Sequence, residues 1–182
     1  MSYHTTIKFF GIMICCYSLI AKHKKLDNFD LQAFAGHWYE TARSKNIKPE
    51  KGTLTEFDIY LEKDNTYNIY HTDYSSKGTI KTTSIAHQVD EDDPAFFKAS
   101  MTNNFLSRLI TFNLRILETD YDSYAAVVSK NRFFWLYPIT FCWILSRTKT
   151  LDNKRINALN DLFDKEGYCK KKEMQSATST EL

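Results

Sequence analysis

The chain has 182 residues, a length that suits one domain with a core that needs neither disulfides nor metals to hold it. With 25% charged residues, five Gly and three Pro, the composition is globular and excludes collagen-like or disordered classes. A formal net charge of +2 gives no sign of a nucleic-acid partner.

Residues 9–21 are apolar apart from Ser18, with Lys8 before them and Lys22, Lys24 and Lys25 after. The run falls short of the roughly 20 apolar residues that a spanning helix needs. It fits the h-region of a signal peptide, although an uncleaved anchor or a buried helix would read the same way. Residues 1–25 are therefore expected to be a signal peptide or N-terminal anchor. The protein is expected to be exported, to the periplasm or outer membrane of a bacterium or secreted from a eukaryotic cell.

From residue 36 to 147 the chain reads as short strands separated by turn signals. Strands are expected over 37–42, 54–61, 67–72, 79–86, 96–101, 110–117, 124–129 and 141–147. Alternation is clear in several of them. Phe112, Leu114 and Ile116 point one way while Asn113 and Arg115 point the other; Phe97 and Met101 share a face opposite Lys98. After the last strand, Leu151, Arg155, Leu159, Leu162 and Phe163 change to helical spacing, with Asp152 as N-cap and Gly167 as the stop. A domain over 26–169 is followed by a polar tail, 170–182, expected to be disordered. Eight strands with short connections suit an antiparallel barrel or sandwich, and alternation does not separate the two.

Three motifs do. Phe34-Ala35-Gly36-His37-Trp38-Tyr39-Glu40-Thr41-Ala42-Arg43 resembles the Gly-x-Trp segment of the lipocalins. Thr119-Asp120-Tyr121 falls between the sixth and seventh strands, and Trp143-Ile144-Leu145-Ser146-Arg147-Thr148 ends the eighth, in the order of that family. The wording is similar to bacterial lipocalins and their apolipoprotein D-like relatives. The resemblance implies an all-β fold: an eight-stranded antiparallel up-and-down β-barrel with one C-terminal α-helix packed outside.

It also implies a closed end built from Gly36, Trp38, Asp120 and Arg147. Trp38 would be the plug, Gly36 would allow close backbone approach, and the Arg147 guanidinium would lie on the indole. In the family topology strand 141–147 descends and the helix climbs back about 22 Å, at 1.5 Å per residue. That returns Cys169 to the height of Cys142, on the outer face. As the two cysteines outside the N-terminal segment, they are expected to form a disulfide, with two thiols as the alternative.

An eight-stranded barrel holds one small ligand. The expected cavity residues are Ile69, His71, Phe97, Met101, Phe112, Leu114, Ile116, Trp143 and Leu145. For strand 54–61, alternation puts Phe57, Ile59 and Leu61 inside, whereas alignment to the family puts Glu56, Asp58 and Tyr60 there. Sorted by the family topology, the mouth carries Arg43, Lys45, Lys48, Lys51, Lys77, Arg108, Lys130 and Arg132 against Glu50 and Asp73. The base carries nine acidic side chains, among them Asp90, Glu91, Asp92 and Asp93, against Lys63. A basic mouth favours an anionic head group or an anionic membrane surface. Phe105, Phe134 and Trp135 would sit at the same mouth. The apolar run 133–139 reads as a lid or interface, or as longer flanking strands.

The histidines lack metal-ligand spacing, and the acidic run 90–93 reads as a solvated turn rather than a calcium loop. His71 and Glu40 are candidates for interior acid–base groups, without an evident partner. No metal or cofactor is implied. The expected function is binding, transport or storage of a small hydrophobic ligand, a fatty acid or lysophospholipid, by a non-enzymatic monomer or weak dimer with a possible membrane-surface contact. The alternatives are a lipocalin-fold enzyme, a pigment or haem binder, or a membrane-docking protein without ligand.

Overall fold

A computed structural model of the chain describes residues 25–47, 54–102, 111–133 and 137–177. The N-terminal apolar segment lies outside them. A four-residue helix α1 (Leu31–Phe34), capped by the Asp30 side chain on Ala33 N at 2.9 Å, leads into β1 (Gly36–Ser44). Then follow β2 (Leu54–Leu61), β3 (Thr66–Ser75), β4 (Gly78–Gln88), β5 (Phe96–Met101), β6 (Thr111–Thr119), β7 (Tyr124–Phe133) and β8 (Tyr137–Ser146). Each pairs antiparallel with the next. β1 bonds to both β8 and β2, so the sheet closes on itself as an eight-stranded barrel.

β2 and β5 have the boundaries expected from their residue patterns. β2 also settles its register in favour of alternation. Phe57 and Ile59 face the interior opposite His71 and Ile69 of β3, while Tyr60 points outward at 56% exposure. The strands flanking the 133–139 run are longer than expected. Phe133 pairs with Tyr137, which is the longer-strand alternative and leaves 134–136 as the connection.

Two apolar layers follow from strand alternation. Inside the barrel, Trp38, Ile59, Tyr67, Phe97, Ile116, Val127 and Leu145 form one core. Outside, Ala126, Val128, Cys142 and Ile144 receive Leu159 and Phe163 of helix α2 (Asn153–Lys165). Asp152 caps this helix, accepting from Arg155 N at 2.8 Å, and Gly167 ends it at φ +73°.

The tail expected to be disordered is instead ordered as far as residue 177. A 3-10 turn over Lys171–Glu173 is followed by β9 (Met174–Ser176), which pairs with Ala42, Arg43 and Ser44 of β1. β1 pairs with β2 only from Gly36 to Tyr39. Its upper half would be an open edge, and β9 covers it.

Candidate functional site

The closed end forms around Trp38, which is fully buried. Its indole Nε1 donates to Phe34 O at 2.9 Å, and the Phe34 ring packs 5.3 Å away. Tyr67, with its hydroxyl on Leu31 O at 2.7 Å, ties α1 across the floor. Arg147 lies over the Trp38 ring at 3.6 Å. Its guanidinium donates to the carbonyls of Tyr121, His37, Ala33 and Ala35 at 2.8–2.9 Å, so one side chain clamps three chain segments. Gly36 sits at φ +105°, and a Cβ there would meet Arg147 Nη1 at 3.1 Å, which explains a glycine on both counts. Asp120 accepts from Ser123 N at 2.8 Å and Tyr124 N at 3.0 Å and from the Ser123 hydroxyl, fixing the β6–β7 turn beside this clamp. Desolvation alone would raise its pKa; the hydrogen bonds from Ser123 and Tyr124 outweigh that and hold it low.

Above the plug is a cavity of about 410 Å³, within the ~300–1,000 Å³ of small-molecule sites. All nine cavity residues expected from the sequence are on its wall: Ile69, His71, Phe97, Met101, Phe112, Leu114, Ile116, Trp143 and Leu145. The wall is two-sided. From β5 to β8, every lining side chain among the described residues is hydrocarbon, thioether or aromatic. From β1 to β4 apolar Phe57, Ile59 and Ile69 are joined by Glu40, Arg43, His71, Asp73, Thr82 and Ser84.

The polar group depends on an irregularity in β1. The β1–β8 register shifts between Glu40 and Ala42, a bulge that returns the side chain three residues on to the same face. Glu40 and Arg43 therefore both point inward and pair, at 4% exposure each, while Ala42 joins the outer core beneath α2. Arg43, expected on the rim, is an interior residue for this reason. Asp73, also expected at the mouth, faces the cavity and accepts from Thr55 Oγ1 at 2.6 Å. His71 Nε2 lies 3.2 Å from Asp73 Oδ1, its Nδ1 lies 3.3 Å from Thr82 Oγ1, and its ring stacks on Phe57 at 4.8 Å. So His71 and Glu40 each stand beside a group of opposite charge type, Asp73 and Arg43, that the sequence did not reveal. Burial pushes the Glu40 carboxyl up to about 8, against the opposing pull of Arg43. Desolvation also acts to raise Asp73, but bonds from His71 and Thr55 outweigh it and hold Asp73 low.

Of the expected mouth residues, Lys45 donates to Lys172 O at 2.6 Å and Lys130 is exposed. Lys48, Phe105, Phe134 and Trp135 lie outside the described residues, and only the backbone of Arg132 is described. At the base, Asp93 is not part of a solvated turn. It is 3% exposed and pairs with Arg115 Nη1 at 2.5 Å, and that guanidinium lies over Phe96 at 4.6 Å. Cys142 and Cys169 are brought together under α2, as the returning helix requires. They stand as two buried free thiols in the same outer core, not as the expected disulfide. The neighbouring Cys169, together with burial, pushes the Cys142 thiol up.

A plugged eight-stranded barrel with an apolar cavity and an external helix defines a lipocalin. A family model described as a lipocalin-like domain matches residues 29–177, and the chain belongs to that family. Apolipoprotein D of Mus musculus is 30% identical over 142 residues, covering 78% of this chain and 72% of the mouse protein. Insecticyanin-B of Manduca sexta is 29% identical over 136 residues, 71% of this chain and 63% of its own length. Lobster apocrustacyanin A1 superposes with a TM-score of 0.66 at 20% identity, over 82% of this chain and 79% of the lobster chain, and shows the shared fold.

Proposed function

We propose that this lipocalin carries or stores one amphiphile with a hydrocarbon chain, a fatty acid or a lysophospholipid, outside the cytoplasm. The observation that carries the reading is the uninterrupted apolar wall from β5 to β8, in a cavity closed below by Trp38 and Arg147. A chain laid along Phe97, Phe112, Leu114, Ile116 and Leu145 gains roughly 0.8 kcal/mol per buried methylene, against the cost of ordering it. The charged part of the head would lie towards the mouth, where Lys45 and Lys130 supply positive charge that also suits an anionic membrane surface. Export is supported by the apolar run 9–21 with its flanking lysines.

Displacement of a fluorescent acyl probe tests this. Leu114→Trp puts an indole into the cavity and should weaken probe binding at least about tenfold while the melting temperature stays close to that of the unaltered protein. Equal affinity in both proteins would place the probe outside the barrel.

A further inference from the structure

The polar half of the cavity wall is not required by the barrel fold. An apolar lining of the same volume would be at least as stable as a buried ion pair, and a half-satisfied polar network is costly. Glu40 Oε1 and Arg43 Nε face each other deep in the barrel without hydrogen-bond geometry, so both remain short of a good partner. Arg43 has five N–H donors, yet among the described residues its contacts are Glu40 and Thr55 Oγ1, the latter at a long 3.5 Å. The guanidinium therefore has donors to spare for an oxygen arriving in the cavity.

The charge of the cluster decides which kind of oxygen. Burial holds the Glu40 carboxyl in its protonated form at neutral pH, so the charge that balances Arg43 is that of Asp73, which the guanidinium helps to keep ionised. With one permanent cation and one ionised carboxylate in this cluster, no positive charge is left over among the described wall residues. A ligand carboxylate would bring uncompensated negative charge into a low-dielectric site, whereas a hydroxyl or carbonyl adds none. Thr82 and the Glu40 carboxyl can each complete the bonding of such a group.

We propose that Glu40 and Arg43, backed by Thr55, His71 and Asp73, bind the uncharged oxygen of the ligand, a hydroxyl or ester carbonyl at the end of its hydrocarbon chain, and select against a carboxylate at that position. The inference rests on the carrier reading and narrows it. A fatty alcohol, an acylglycerol or the glycerol end of a lysophospholipid all present this chemistry, and a free fatty acid does not.

The test is competition against a neutral naphthylamine probe at neutral pH, with hexadecanol, methyl hexadecanoate and hexadecanoate as three arms. The alcohol and ester arms separate hydroxyl from carbonyl recognition, and tighter binding of either one than of hexadecanoate, by about tenfold, is the expected result. Arg43→Met should weaken the preferred uncharged ligand about tenfold and leave hexadecanoate within about twofold. Thr55→Val, which removes only the hydroxyl behind Arg43, serves as a second variant with the same direction and a smaller effect, should Arg43→Met fail to fold. Hexadecanoate binding as tightly as both uncharged ligands, or losing most in either variant, overturns the proposal while leaving the carrier reading standing. Binding of none of the three overturns both.

Discussion

Trp38→Ala is expected to lower the unfolding free energy by about 3–5 kcal/mol, the usual cost of truncating a fully buried large aromatic. Three losses combine at this position. The cavity floor opens beneath Phe34 and Tyr67, Phe34 O loses the indole donor, and the Arg147 guanidinium loses the ring it covers. Arg147→Ala should cost less, about 1–3 kcal/mol, because the carbonyls of Ala33, Ala35 and Tyr121 lie near the surface, where water can replace some of the lost bonds. Urea midpoints of the two variants measure this. If both unfold at the midpoint of the unaltered protein, the closed end does not hold the barrel together.

Glu40→Gln is expected to stabilise the protein at alkaline pH. The Glu40 carboxyl keeps its proton up to about 8 in the folded barrel, whereas in the unfolded chain it loses it near 4.5. Between those values the native state holds more protons than the unfolded state, so stability falls as pH rises through this window. Below it the group is protonated in both states and carries no penalty. Gln keeps the shape and the neutral charge throughout. The variant should therefore lose this pH slope and exceed the parent by on the order of a few kcal/mol above the window. Parallel stability–pH curves for the two proteins would show that Glu40 is ionised in the folded barrel, with Arg43 compensating its burial.

The sequence revealed most about positions fixed by local rules. Two-residue alternation put Phe112, Leu114 and Ile116 on the wall and, in β2, correctly favoured Phe57 and Ile59 over the alignment-based choice. The plug residues were legible because Gly36, Trp38 and Arg147 occur in a characteristic order. Features decided by distant parts of the chain were not legible. The β1 bulge that turns Arg43 inward leaves no mark on residues 36–44, because a one-residue slip arises from the register with β8. β9 is three residues in a polar stretch, stabilised by the open upper edge of β1 and by burial of Met174. Asp93 looked solvated among acidic neighbours, since its partner Arg115 is far along the chain. Of the interior polar cluster, His71 and Glu40 were legible as interior groups, but Arg43 and Asp73 were not, and the four become one site only when β2 brings β1 and β3 to the same side of the cavity.

The barrel is expected to hold one apolar-chain ligand. Native mass spectrometry of the protein purified from its own host tests it most directly. The expected species is heavier than the chain by one amphiphile, which is lost on activation and displaced by added acyl probe. A chain that arrives without adduct and also takes up no acyl probe in solution would contradict it.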